Sequence, residues 1–239
     1  MKKESKEKKE RQGKLIVIEA PDGSGKKTQA ELLFKRLQEE GRKVEKVEFH
    51  NYRSDSSALV KMYLNGAFGK EPHDVNPYVA STFYAVDRYA TYRTEWQDFY
   101  EAGGIIIADR YTTSNMVHQA VKFQQDEEKE LYLDWLWDFE FRLFALPVPD
   151  LVVFLDLPPR FSGRLIQERT NKMTGQQEKD IHEKNKQFLE QSYRNACWVA
   201  EKYQWTKISC VENGQIKSIR AIHENIYNIV KGKILLENN

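Results

Sequence analysis

The segment Lys14–Gln29, KLIVIEAPDGSGKKTQ, constrains the fold more than any other stretch of the chain. Leu15 to Ile18 are β-favouring apolar residues in a row without helical spacing, which predicts a short buried strand. Asp22-Gly23-Ser24-Gly25-Lys26 follows at once, and Thr28 opens the amphipathic run Ala30–Glu40. Strand, glycine turn and helix N-terminus together make an anion site. The glycines let backbone N–H groups converge on phosphate oxygens, the helix dipole adds partial positive charge, and Lys26 adds a full one. Asp22, Gly23, Ser24, Gly25, Lys26, Lys27 and Thr28 are therefore the expected nucleotide-binding residues.

The match to the phosphate-loop pattern G-x-x-x-x-G-K-[ST] departs at two positions. Ala20 stands at the first glycine, and Lys27 follows Lys26, so the first hydroxyl is Thr28. Alanine at position 20 costs about 1–2 kcal/mol if the turn needs a positive φ there, and almost nothing if φ is negative. Lys27 removes the hydroxyl that usually helps to hold Mg²⁺, which leaves Thr28 as the candidate on the helix side.

Runs of strand character recur along the chain at Lys43–Phe49, Ile105–Ala108, Leu151–Leu157 and Thr206–Val211. Helix-length segments separate them: Ser57–Leu64, Tyr78–Glu101, Thr113–Gln125, Asp126–Leu146, Arg160–Glu168, Ile181–Tyr203 and Gln215–Ile234. Uniformly apolar strands alternating with helices predict an α/β fold with a five-stranded parallel sheet, covered by helices on both faces. In such sheets ligands gather beyond the strands' carboxyl ends. Asp22–Thr28, Phe49–Arg53, Asp109-Arg110-Tyr111 and Pro158–Arg164 should therefore converge.

Length and charge bound the rest. At 239 residues and 40% hydrophobic, the chain can bury one substantial α/β core. Its net charge of +1 creates no global field towards nucleic acid or membrane, and no run of 18 apolar residues occurs. Residues 14–232 are expected to form a single α/β domain, with a lid at about 170–180 in NKMTGQQEKD. Residues 1–13 read as a disordered basic tail without the apolar stretch of a signal peptide, and 233–239 as a C-terminal tail. Cys197 and Cys210 form no CxxC, so both are expected reduced, in a cytoplasmic protein.

The second chemical element is Gly103–Tyr111, GGIIIADRY. An apolar strand ending in Asp is the usual Mg²⁺-holding carboxylate of phosphate-loop enzymes, and the arginine beside it suits a bidentate phosphate grip. Asp109 and Arg110 are the residues concerned.

The ordered set D-G-S-G-K-x-T-Q, then A-D-R-Y-T-T-S-N-M-V-H-Q, then P-D-L-V-V-F-L-D-L-P-P resembles the thymidylate kinase family, from about Lys14 to Val230. The resemblance implies a phosphate-loop NTPase fold with a short lid, transfer of the ATP γ-phosphoryl to dTMP with Mg²⁺, and a homodimer. It implies that Lys26, Asp109, Arg110, Arg164 and Arg169 are catalytic, the last two closing from the lid because Gly23 stands where some members carry a loop arginine. It implies a metal site at Asp109 and Thr28. Tyr84 and Arg88 match the family's nucleobase helix, one stacking on thymine and the other contacting a carbonyl. Asn115 matches an amide presented to the pyrimidine edge, Ser114 a supporting hydroxyl, and Asp22 the loop carboxylate that touches the sugar and organises Arg110. Phe49 and Arg53 fall where many members have Phe-Pro and a phosphate-gripping arginine. His118 replaces a tyrosine that crowds the sugar 2′ position. Two alternatives stay open on sequence alone: a deoxynucleoside kinase of the same fold, and a catalytically weakened nucleotide-binding regulator. The apolar surplus of Asp126–Leu146 suits core packing or a dimer face.

Overall fold

Every strand of the main sheet is parallel to its neighbours, in the order β2-β3-β1-β4-β5. This computed structural model describes residues 13–162 and 185–236; Arg164, Arg169, the expected lid and both chain ends lie outside them. The strands are β1 (Lys14–Glu19), β2 (Val44–Glu48), β3 (Ile105–Asp109), β4 (Leu151–Asp156) and β5 (Thr206–Ser209). The helices are α1 (Lys26–Glu39), α2 (Ala58–Leu64), α3 (Pro77–Thr91), α4 (Gln97–Glu101), α5 (Thr112–His118), α6 (Asp126–Trp137), α7 (Lys186–Lys202) and α8 (Ile219–Val230).

Strand β1 is central because both its faces are apolar. Leu15 and Val17 point to the layer of Tyr92, Trp96, Tyr100 and Tyr111, whereas Ile16 and Ile18 point to Leu33, Leu37, Ile222 and Ile226. All four β1 residues are fully buried, and each such burial contributes about 1.5–3 kcal/mol. The register Ile18↔Asp109 sets the end of β3 beside the turn that follows β1. That register brings the phosphate loop and Asp109-Arg110 together.

Three sequence expectations are corrected. The last helix starts at Ile219, not Gln215, because Asn213 and Gly214 adopt φ of 49° and 75° and close a hairpin. Its strands are β6 (Val211–Glu212) and β7 (Gln215–Ile216). A positive-φ Asn-Gly pair is the strongest short hairpin signal. The expected tail from 233 instead continues α8 as a π-helical segment, Lys231–Leu235, which buries Ile234 and Leu235 in the core. The helix expected over Thr113–Gln125 ends at His118 and is followed by a separate 3-10 turn, Ala120–Lys122.

Candidate active site

The phosphate loop is built on two left-handed glycines. Gly23 and Gly25 have φ of 73° and 80°, conformations that an L side chain rarely adopts. Gly25 is also the N-cap of α1, so the helix opens directly behind the loop. Ala20 is absent from the positive-φ residues, which removes the strain that a substituted first glycine would have carried. Lys26 is buried and curls back over the loop, donating to Ala20 O at 2.7 Å and Pro21 O at 3.0 Å. Burial and the Arg110 charge lower its pKa to about 8, against the raising effect of Asp22, Glu19 and Asp109.

Arg110 adopts φ 70°, and left-handed backbone at a non-glycine residue costs about 1–3 kcal/mol. That conformation turns its guanidinium back towards the loop. It donates to Asp22 Oδ1, to Ser114 Oγ at 3.4 Å and towards His118 Nε2 at 3.3 Å. Asp22, Glu19 and Asp109 raise its pKa despite burial, so it stays charged. His118 is neutral, its pKa lowered to about 4 mainly by burial, partly offset by Asp22 and reinforced by Arg110. A neutral imidazole nitrogen facing a guanidinium accepts a hydrogen bond, and this histidine carries no imidazolium proton to give at neutral pH.

Glu19 organises the cluster. Fully buried at the end of β1, it accepts from Ala20 N at 3.0 Å, and from Thr113 Oγ1 and Ser114 Oγ at 2.7 Å each. It ties the loop to the first turn of α5. A carboxylate closing an apolar strand was its signal in the sequence, the same signal that marked Asp109.

Asp109 is 5% exposed, and among the described residues no side chain donates a hydrogen bond to its carboxylate. Lys26 and Arg110 face three carboxylates, Asp22, Glu19 and Asp109, which makes a net negative cluster. A polyphosphate entering it needs added positive charge. One free carboxylate suits Mg²⁺, which takes one or two carboxylates together with substrate phosphates rather than an all-protein cage. No group of three or more His, Cys, Asp or Glu side chains that could hold a metal ion occurs among the described residues. Thr28 is exposed and lines the same cavity.

That cavity, about 440 Å³, runs from Ser24, Lys26 and Thr28 to an apolar wall of Ile216, Ile219 and Ile222. This wall follows from the hairpin and the later start of α8, which bring Ile216 beside Ile219 and Ile222. Gln29 Nε2 donates to Ile219 O at 3.0 Å and fixes the wall to the first turn of α1.

On the other side, Arg88 is held in a closed network. Its Nε and Nη2 donate to the two Glu140 oxygens at 2.6 and 2.5 Å, and Thr112 Oγ1 adds a third bond to Glu140 at 2.7 Å. Arg88 Nη2 also donates to Asn115 Oδ1 at 3.2 Å. Only the acceptor end of an amide can face a guanidinium, so Asn115 Nδ2 is turned the other way. It is buried and without a hydrogen-bond partner. Tyr84 is half-buried one turn before Arg88, edge-on to His50 at 6.1 Å and Tyr63 at 6.3 Å. Asp87 accepts from Asn51 N at 2.8 Å and Ser56 Oγ at 2.6 Å, anchoring the loop after β2 to α3.

Two expected residues lie apart from this cluster. Phe49 is buried against Tyr111, 5.7 Å between ring centroids, as part of the wall beneath the site. Arg53 is exposed and lines a second cavity, about 400 Å³, with Lys27, Glu48 and Asn51. Lys27 lines both cavities.

A phosphate loop, a strand-ending Asp-Arg pair and a five-stranded parallel sheet define a phosphate-loop nucleotide kinase. The sequence profile described as Thymidylate kinase matches residues 18–226. The chain is 32% identical over 189 residues to "Thymidylate kinase" of Schizosaccharomyces pombe, covering 78% of this chain and 81% of that one. It is 28% identical over 227 residues to "Probable thymidylate kinase" of Thermococcus gammatolerans, covering 93% and 98%. Among solved structures, the thymidylate kinase of Candida albicans superposes with a TM-score of 0.67 at 21% identity, over 93% of this chain and 92% of that one, which shows a shared fold. The chain belongs to the thymidylate kinase family, whose members are nucleoside monophosphate kinases.

Proposed function

We propose that this chain transfers the γ-phosphoryl group of ATP to dTMP, giving dTDP and ADP. The observation that carries the reading is Arg110, turned by its positive φ onto Asp22 beside the loop, with the Arg88–Asn115 pair beyond it on α3 and α5. The loop N–H groups and Lys26 hold the phosphates of ATP, and Lys26 exchanges its two loop carbonyls for phosphate oxygens. Asp109 holds Mg²⁺, with Thr28 close by on α1. The metal, when bound, neutralises charge on the transferring phosphates. Arg110 grips the phosphate of dTMP, whose oxygen attacks the γ-phosphorus as the β–γ bridging oxygen leaves with ADP. Arg164 and Arg169 supply further charge from the lid.

The base is selected by donors. Arg88 and Asn115 Nδ2 both donate, so the pyrimidine edge they meet must present a carbonyl oxygen. Thymine and uracil offer O4 there, whereas cytosine offers an amino group that these donors repel. Tyr84 stacks on the ring, which is worth about 1–3 kcal/mol. A coupled ADP-release assay across dTMP, dUMP, UMP, CMP and AMP tests the reading: turnover should be fastest with dTMP, and rates no higher with dTMP than without acceptor overturn it.

We also propose a homodimer. Most of the apolar surplus of Asp126–Leu146 is core, including Leu133 and Leu136, while Leu131, Trp137 and Leu143 remain exposed. Helices α2 and α3 add Leu59, Met62, Val79, Val86 and Tyr89, an apolar face that a second copy would cover. The free cysteines Cys197 and Cys210 suit the reducing cytoplasm. No helix among the described residues is long and apolar enough to cross a membrane.

A further inference from the structure

The phosphate-loop cluster is short of positive charge for the work assigned to it. Lys26 and Arg110 are outnumbered by Asp22, Glu19 and Asp109, and Gly23 leaves the loop without an arginine. Lys27 is placed to make up the difference. It occupies the position where phosphate-loop sequences carry the metal-binding hydroxyl, but its longer side chain reaches past that point. It forms part of the wall between the cavity that holds Asp109 and Arg110 and the one that holds Glu48 and Arg53. Its ammonium lies 3.7 Å from Glu48 Oε2 and its side chain is 61% exposed, so this pair is loose. Glu48 is the register partner of Asp109 across β2 and β3. In-register residues of neighbouring strands share a face, so carboxylates stand on two adjacent strand ends, and Lys27 lines one cavity with Glu48 and another with Asp109.

We propose that Lys27 is a catalytic cation: on nucleotide binding it leaves Glu48 and moves onto the transferring phosphoryl group, and Glu48 parks it again after product release. No bond is made or broken at Lys27; it neutralises charge that spreads over the equatorial oxygens in the transition state. The role rests on the kinase reading above, but its first test does not. ADP is titrated calorimetrically, with divalent ions chelated, into the wild type, Lys27→Met, Glu48→Gln and the double variant. Lys27→Met should weaken metal-free ADP binding about tenfold, and Glu48→Gln should tighten it about threefold. The double variant should match Lys27→Met alone, because on this proposal Glu48 influences ADP binding through Lys27. In turnover with dTMP, Lys27→Met should lower kcat by about tenfold to a hundredfold with little change in the KM for dTMP, and Lys27→Arg should keep most of the rate. Unchanged ADP affinity in Lys27→Met, or additive effects of the two substitutions, overturns the proposal. A wild type that binds ADP in this pattern yet fails to phosphorylate dTMP would instead overturn the kinase reading.

Discussion

The Arg88–Glu140 pair offers the sharpest test of how the proposed base site is held. Both side chains are at most 2% exposed, and two direct bonds of 2.5 and 2.6 Å join them. Replacing Glu140 with Leu leaves a guanidinium charged in the interior with only Asn115 Oδ1 at 3.2 Å and Tyr111 O at 3.5 Å to face. Breaking a buried pair in this way costs about 3–5 kcal/mol. For a chain of this size each kcal/mol lowers Tm by about 2–4 °C, so the expected fall is about 6–20 °C. Arg88→Met should cost less, because a buried carboxyl left behind can take up a proton and Thr112 still donates to it. The double variant Arg88→Met with Glu140→Leu should be no less stable than Glu140→Leu alone, giving a coupling of at least about 2 kcal/mol. Urea unfolding of the four proteins, with scanning calorimetry alongside, measures this directly. Additive costs would refute the argument, since they would mean that neither charge depends on the other.

Four further outcomes follow from the geometry. Asn115→Leu removes a donor that has no internal partner and also the acceptor of one Arg88 N–H, so KM for dTMP should rise about 10-fold to 100-fold and stability should fall by about 1–3 kcal/mol; an unchanged KM places the base elsewhere. Arg110→Ala should lower kcat/KM for dTMP far more than it lowers ATP affinity, as measured by initial rates and calorimetry, and equal losses would contradict its role at the acceptor phosphate. Lys26 in the free protein loses its proton near pH about 8, against 10.5 when unfolded, so the charged form is disfavoured by folding. Below about pH 8 that penalty is fully present, and it is relieved as pH rises towards 10.5. Bound ADP favours the charged form, so ADP binding near pH 9 should take up a proton, seen as a buffer-dependent heat, and no uptake would refute the assignment. His118→Asn should leave the pH profile of kcat flat between about pH 5.5 and about 7.5, as in the wild type, because His118 is already neutral there.

The sheet was legible because its strands are buried on both faces and so carry unbroken apolar runs. The phosphate loop was legible because chemistry and sequence are contiguous there. Arg110, Asn115 and Asp109 stand out through motifs, and the resemblance already pairs Arg110 with Asp22, whereas the buried partner of Arg88 carries no local mark. Glu140 lies 52 residues from Arg88, and no local pattern marks a carboxylate that will be buried against a guanidinium from another helix. Glu19 was visible as a charge ending an apolar strand, but its two hydroxyl partners come from α5. The hairpin Val211–Ile216 was missed although Asn213-Gly214 announced it, because the apolar period of α8 was extended backwards through the turn. Local signals mark the candidate groups, and long-range packing decides what orients them.

The orientation of Asn115 has a consequence for the history of such a chain. With its oxygen claimed by Arg88, the amide cannot swivel to greet a nucleobase bearing an amine. On the reading proposed above, accepting cytidylate needs an acceptor in place of the Nδ2 donor, which Asn115→Asp would supply while still accepting from Arg88. A single change at position 115 can therefore weaken the preference for oxo-pyrimidines without breaking the buried Arg88–Glu140 pair.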